Sequence, residues 1–359
     1  MSLLFTPIKI RDISFRNRIF VSPMCQYSAV DGVPQQWHLV HLGSRAVGGA
    51  GLVMAEATGV SAIGRISPLD TGIWNASQAE AFKPIAAFIK EQGAVAGIQL
   101  AHAGRKASTQ APWKHGADGT GGGPLLPTDG AWQTIAPSAL SFASGYPTPK
   151  AMTTDECQIV VYEFENAARN ALLAGFEVVE IHMAHGYLLH QFLSPISNHR
   201  TDQFGGNLDG RMQLPLQIAR AVRGIWPTTA PVFVRVSATD WVEGGWDLPQ
   251  TVALAKELKT IGVDLIDTSS GGLVSDAKVP VGPGFQIPFA RTIRTEADIL
   301  TGSVGFISDS QQAEKIIAEG HSDVVFIARQ FLKDPYFPLR AAKELGFEIP
   351  WPKQYERGK

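Results

Sequence analysis

Cysteine is nearly absent. Only Cys25 and Cys157 occur in 359 residues, far apart in the chain. Neither a disulfide framework nor a cysteine-rich metal site can be built from two such residues, and a reducing cytoplasm fits. Excess charge is missing as well: 31 Lys and Arg stand against 33 Asp and Glu, a net charge of −2. No basic field exists to hold nucleic acid. Charged residues of either sign make up only 18% of the chain. Solvent-covered monomers usually carry more, so a homodimer or homotetramer is expected. The opening Met-Ser-Leu-Leu-Phe-Thr-Pro has no basic region followed by a long apolar stretch, so no signal peptide is expected. No uninterrupted apolar run reaches the ~20 residues of a membrane span. A Gly-rich dinucleotide fingerprint between strand and helix is also lacking.

What is present is a repeating pattern. Eight short apolar, β-branched runs cover residues 19–21, 52–57, 96–100, 178–182, 232–236, 265–268, 300–304 and 324–328. Continuous apolar runs indicate strands buried on both faces, as in parallel sheets. Helix-like segments separate them, the signature of βαβ units. Eight units in a chain of this size predict one (β/α)8 TIM-barrel domain over residues 1–359. Thr153 and Glu156 form a capping box for a helix that should stop near Gly175. Amphipathic segments at 248–260 and 311–318 end before Gly262 and Gly320. Residues 8–15 read as a hairpin ahead of the barrel, placed to plug its bottom. Residues 111–152 are rich in Gly and Pro and carry Trp113 and Trp132. So long a loop after the third strand is either a capping, binding segment or a mobile insertion without a role.

Chemistry in such a barrel lies at the C-terminal ends of the strands. Seven strands deliver polar residues there: Ser22 to Tyr27, Glu56, Gln99 with His102, His182 to Tyr187, Arg235, the region of Gly305, and Arg329. A lone histidine on a strand is more often structural than catalytic; the convergence of many is what points to a site. His182 and His185 are open to two readings. One is a metal site, which for zinc needs a third protein ligand that no motif marks. The other is a pair of hydrogen-bond donors converging on a substrate oxygen. Tyr187, a phenol with an ordinary pKa near ~10, could then donate a proton to carbon. Two oxyanion donors and a phenolic acid suit reduction of a conjugated carbonyl. No side chain supplies a hydride, so a cofactor must. Gly305 allows close backbone approach and Arg329 a two-pronged grip on phosphate, which favours a phosphate-bearing cofactor at the mouth. Arg235 would face the electron-rich end of a reduced flavin.

Several long motifs carry a resemblance. They are Ser22-Pro23-Met24-Cys25-Gln26-Tyr27, the stretch from Ile98 to Lys106, His182-Met183-Ala184-His185-Gly186-Tyr187, Leu193-Ser194-Pro195, and Asn198 to Asp202, with Gln354-Tyr355-Glu356-Arg357-Gly358 at the end. Over essentially its whole length the chain resembles the Old Yellow Enzyme family of flavin-dependent ene-reductases. Within it the chain is similar to the bacterial xenobiotic reductases and small NADPH dehydrogenases. The resemblance implies FMN as cofactor and NADPH as reductant. It implies small-molecule substrates with activated C=C bonds, or quinones: enones, enals, maleimides, nitroalkenes. Ser22, Pro23, Met24, Cys25, Ala57, Gln99 and Arg235 would line the flavin ring, with Cys25 modulating its potential. Gly305, Ala328 and Arg329 would hold the FMN tail and phosphate. His182 and His185 would bind the substrate carbonyl, Tyr187 would protonate, and Tyr27 would touch substrate. In a tail spanning 348–359, Arg357 would reach the neighbouring subunit's site. Three positions depart from the family pattern: Ala328 stands for a usual Gly, Phe204 for Tyr and Gly210 for Asn. Competing readings are a metal-dependent barrel hydrolase or lyase and a non-catalytic flavin-binding protein. A tRNA dihydrouridine synthase would need a basic face, and a dienoyl-thioester reductase an iron–sulfur cluster that two cysteines cannot ligate.

Overall fold

The computed structural model describes residues 2–359. It begins with an antiparallel hairpin, β1 (Ile8–Ile10) and β2 (Ile13–Phe15). There follow β3 (Ile19–Val21), α1 (Gln36–Val47), β4 (Leu52–Gly59), α2 (Ala76–Glu91) and β5 (Val95–Ala101). The insertion contributes a short parallel pair, β6 (Ile135–Ala136) and β7 (Lys150–Ala151). The rest of the chain runs α3 (Thr154–Ala174), β8 (Val178–Met183), α4 (Leu188–Leu193), α5 (Leu208–Ile225), β9 (Val232–Ser237) and α6 (Leu248–Ile261). Then come β10 (Leu265–Ser269), α7 (Ile287–Ala297), β11 (Leu300–Ser303), α8 (Ser310–Ala318), β12 (Val324–Ile327), α9 (Arg329–Lys333) and α10 (Phe337–Glu344).

Strands β3, β4, β5, β8, β9, β10, β11 and β12 form a closed parallel barrel, as the sequence predicts. The ring shuts where β12 pairs with β3, Val325 opposite Ile19 and Ile327 opposite Val21. Each expected run matches a strand to within two residues. Capping agrees too: Thr153 and Glu156 cap α3 reciprocally, and Gly175 ends it in the left-handed conformation. Gly262 ends α6 in the same way.

Strand periodicity sorts the side chains into two cores. Val179, Ile181, Val232, Val234, Val236 and Ile266 face outward and pack with the helices. Phe20, Leu52, Val95, Val178, Phe233 and Leu265 face inward and fill the lower lumen. The hairpin closes that end: Phe15 is fully buried, its ring 4.8 Å from Phe20 and 6.5 Å from Phe233. Counting by twos from these inward positions carries Gln99, Glu180, His182, Arg235, Asp267 and Ser269 into the lumen above the apolar plug. A bulge in β4 between Ala55 and Ala57 resets the register, so that Ala57 lies opposite Gln99. Among the described residues no helix is long and apolar enough to cross a membrane.

The insertion lies against the C-terminal rim. Trp113 meets Tyr27 edge-on at 5.6 Å, and the Trp132 indole N–H donates to the Ile63 carbonyl. Arg105 donates to the carbonyls of Leu140, Ser141 and Leu273, tying the insertion to the loop after β10.

Candidate active site

The segment after β3 is held by buried charge. Ser22 donates its backbone N–H to the Ile327 carbonyl across the barrel seam, while its buried hydroxyl has no partner. Glu56 accepts from the backbone N–H of Gln26 and pairs with His38 Nε2 at 2.9 Å. The Gln35 N–H donates to His38 Nδ1, so the remaining ring proton points at Glu56. This pair fixes the turn that carries Cys25. Burial, with Asp70 and Glu56 nearby, pushes the Cys25 thiol well above its ordinary pKa and keeps it protonated. Tyr27 has a positive φ of 49° and packs on Trp113; burial raises its pKa, with Cys25 and Tyr187 adding to the effect.

The turn after β8 holds the proposed chemistry. His182 Nε2 and His185 Nδ1 are 3.4 Å apart, and His185 Nε2 lies 2.7 Å from the Ser269 hydroxyl. The Tyr187 ring is 5.1 Å from that of His182. Burial, helped by the Arg235 charge, depresses both imidazoles well below the usual histidine range. Both are therefore neutral, able to donate one N–H each. Burial pushes Tyr187 well above the usual phenol range, with Cys25 and Asp70 adding to it, so it retains its proton. Among the described residues no three His, Cys, Asp or Glu side chains group to hold a metal ion.

Backbone geometry forces this turn into shape. His185 has a φ of 58° and Gly186 one of 71°. A Cβ at Gly186 would stand 2.1 Å from the Gly272 carbonyl, so only glycine fits there. The Gly186 N–H donates to His190 Nδ1 at 2.8 Å, and His190 Nε2 meets Asp240 Oδ1 at 2.8 Å with both side chains fully buried. Burial alone would raise Asp240; His190 and the donors Ser194 and Trp246 N–H outweigh it and hold the carboxylate below its ordinary pKa. The dyad anchors the peptide between His185 and Tyr187.

Deeper in the lumen, Gln99 Nε2 donates to Glu180 at 2.7 Å and Arg235 Nε pairs with Asp267 at 3.1 Å. Burial raises both acids, the Asp267 charge adds to the rise at Glu180, and Arg235 opposes the shift at each. From this layer a cavity of about 330 Å³ runs outward past Ser269, Gln286 and Gly305 to Ala328, Arg329 and Lys333. The Arg329 guanidinium lies 4.1 Å from the Phe306 ring centroid. Gly305, with φ of 122°, lets the backbone line this cavity, since a Cβ would press Gln286 at 2.9 Å. Two cations at the outer end and a third at the inner end fit an elongated, phosphate-bearing cofactor with an electron-rich head.

The structure thus joins Arg235, Gly305, Ala328 and Arg329 in one cavity, and His182, His185 and Tyr187 in one cluster. Arg357 is not brought to either. It sits exposed in a 3-10 turn, Lys353–Gly358, whose Tyr355 packs on Tyr336 with ring centroids 5.8 Å apart. Sequence reading missed Ser269, Gln286 and Lys333, and gave Lys106 a place on the rim but no role. Inward parity from Leu265 signals Ser269; nothing local marks Gln286.

Comparison with known proteins places the chain among flavin oxidoreductases. Residues 3–348 match the model of the NADH:flavin oxidoreductase / NADH oxidase family. An NADPH dehydrogenase of Geobacillus sp. (strain WCH70) is 46% identical, over 99% of this chain and 98% of its own. Morphinone reductase superposes with a TM-score of 0.79 at 27% identity, covering 98% of this chain and 92% of its own. The Old Yellow Enzyme homologue from Zymomonas mobilis gives 0.78 at 27% identity, covering 99% and 95%.

Proposed function

Because the chain belongs to the NADH:flavin oxidoreductase / NADH oxidase family, we propose that this FMN-dependent oxidoreductase takes electrons from NADPH and reduces the activated C=C bond of α,β-unsaturated carbonyl compounds. Arg329 and Lys333 hold the FMN phosphate, with the Gly305 backbone alongside. Ser22, Pro23, Met24, Cys25, Ala57, Gln99 and Arg235 line the ring. When bound, FMN supplies the hydride for the substrate β-carbon. His182 and His185 each donate one N–H to the substrate carbonyl oxygen, binding it and stabilising the charge that develops as it becomes an enolate. Tyr187 delivers its phenolic proton to the α-carbon. Tyr27 and the insertion around Trp113 border the substrate.

One observation carries this reading: two neutral imidazoles and a protonated phenol share a rim with the cation-ended cavity. The test is anaerobic. NADPH should bleach the bound flavin, and enones, maleimides or nitroalkenes should restore its colour with formation of the saturated product. Bleaching without re-oxidation by any of them would overturn the substrate class.

We also propose that the chain assembles with a second copy of itself through its tail. Ile349, Trp351, Pro352 and Tyr355 make the tail apolar and stiff, yet Tyr355 is 42% exposed and Arg357 has no hydrogen bond or ion pair among the described residues. Arg357 then completes the partner's substrate pocket. Deleting residues 350–359 is expected to raise KM and reduce the mass in solution while FMN stays bound. Sedimentation and steady-state kinetics check this; unaltered mass and kinetics would rule it out.

A further inference from the structure

Protonating carbon from Tyr187 moves a charge. The phenolic O–H bond breaks, a C–H bond forms at the α-carbon, and the O–H electron pair stays on the phenolate oxygen. The negative charge of the enolate thus passes to a side chain that is buried and lies near Cys25 and Asp70, all of which disfavour a phenolate. A phenolate in such a place needs a cation beside it.

Lys106 stands there. Its Nζ lies 5.2 Å from the Tyr187 ring centroid. Two of its protons are committed to carbonyls, that of His185 at 2.8 Å and that of Gly272 at 2.9 Å. The Phe142 ring of the insertion covers it at 4.6 Å. The left-handed His185 presents its carbonyl to the ammonium. The other cations nearby are engaged elsewhere: Arg105 serves the Leu140, Ser141 and Leu273 carbonyls, and Arg235 pairs with Asp267.

We propose that Lys106 is a positioning residue for proton delivery: its ammonium, pinned between Tyr187 and Phe142 by the His185 and Gly272 carbonyls, balances the charge left on Tyr187 when the substrate carbon is protonated. This rests on Tyr187 being the acid. Water later returns the proton to the phenolate.

The proposal has a pH signature. Burial lowers Lys106 to about 8, and Arg105 adds to the shift. The groups facing it are Arg105 on its own turn, His182, His185 and Tyr187 on and after β8, and Tyr146, which packs on Phe142 at 5.1 Å. Burial lowers Arg105 only to about 10, so it keeps its charge through pH 8; both imidazoles stay neutral, and both phenols are shifted upward. The ammonium is therefore the group in this set that changes charge near that pH. It is charged below about pH 8 and neutral above.

The experiment is single-turnover re-oxidation of pre-reduced holoenzyme by an enone and by a quinone, followed across that pH. Quinone reduction puts protons on oxygen and makes no demand on a carbon acid. In wild type the enone rate should fall as pH rises through the Lys106 pKa, and the quinone rate should not. Lys106→Met should slow the enone reaction on the order of tenfold to a hundredfold at neutral pH, given the charge–charge energies typical at this separation, and lose that limb. The quinone rate should hold. Lys106→Arg should restore the rate and move the limb to higher pH, because a guanidinium does not deprotonate in this range. Lys106→Met placed on Tyr187→Phe should add no further loss. Equal slowing of both oxidants, additive losses, or an unchanged enone rate would each overturn the role of Lys106. If Lys106→Met does not retain FMN, the Lys106→Arg profile decides, and an unmoved limb overturns the proposal. Should Tyr187→Phe itself leave the enone rate intact, the acid assignment fails instead.

Discussion

Tyr187→Phe is expected to slow re-oxidation of the reduced enzyme by an enone by roughly 10²–10⁴-fold, the range general acids supply. Reduction by NADPH should stay near wild type, because that half-reaction needs no proton delivered to carbon. The substitution deletes one oxygen and keeps the ring that packs on His182 at 5.1 Å. Fold and flavin content should therefore be unaffected, and the loss reports the proton. Burial keeps the phenol protonated well past its ordinary pKa, so the acid is loaded throughout the neutral range. Rapid mixing of reduced enzyme with enone measures the rate. A wild-type rate would mean that another group is the acid.

His182→Ala is expected to reduce enone turnover by about 10²–10³-fold, the size of effect seen when one donor to a developing oxyanion is removed. It should also weaken the binding of phenols and carbonyl ligands above the flavin. His182 is buried and its Nε2 faces His185, so the truncated site retains one donor whose orientation depends on Ser269. His182→Asn, which keeps an N–H donor on a shorter arm, should recover part of the loss. Ligand titration and steady-state kinetics together check it. Loss of activity without any change in ligand affinity would speak against a contact with the carbonyl oxygen.

The barrel was legible because its signal is collective. Eight runs buried on both faces leave few alternatives, and once those strands are in place parity counts Gln99, His182 and Arg235 into the lumen. That Gly305 and Arg329 line one cavity was legible for a similar reason: they follow successive strands, and parallel strands bring their C-terminal ends together. What stayed hidden depends on long-range approach. Lys106 is legible as a rim residue after a strand, but its place beside Tyr187 exists only because His185 and Gly272 offer carbonyls 79 and 166 residues away in sequence. The pairs Glu56–His38 and Asp240–His190 join residues 18 and 50 apart without any local motif. The insertion offered two readings; in the structure its Trp113 and Phe142 lie against Tyr27 and Lys106.

The barrel is sewn shut between its first and last strands. Ile19 pairs with Val325, and the Ser22 N–H reaches the Ile327 carbonyl. During synthesis β3 leaves the ribosome some three hundred residues before its partner. Until β12 follows, the growing sheet has two open edges, the usual templates for mispairing. The same seam brings Ser22 beside the strand that precedes Arg329, so the residues after β3 that are proposed to line the flavin ring join the cavity between Arg235 and Arg329 only when the ring closes. A nascent chain that stops short of residue 327 has neither a closed wall nor a complete pocket. Assembly of the cofactor site and completion of the fold are, for this topology, a single late event.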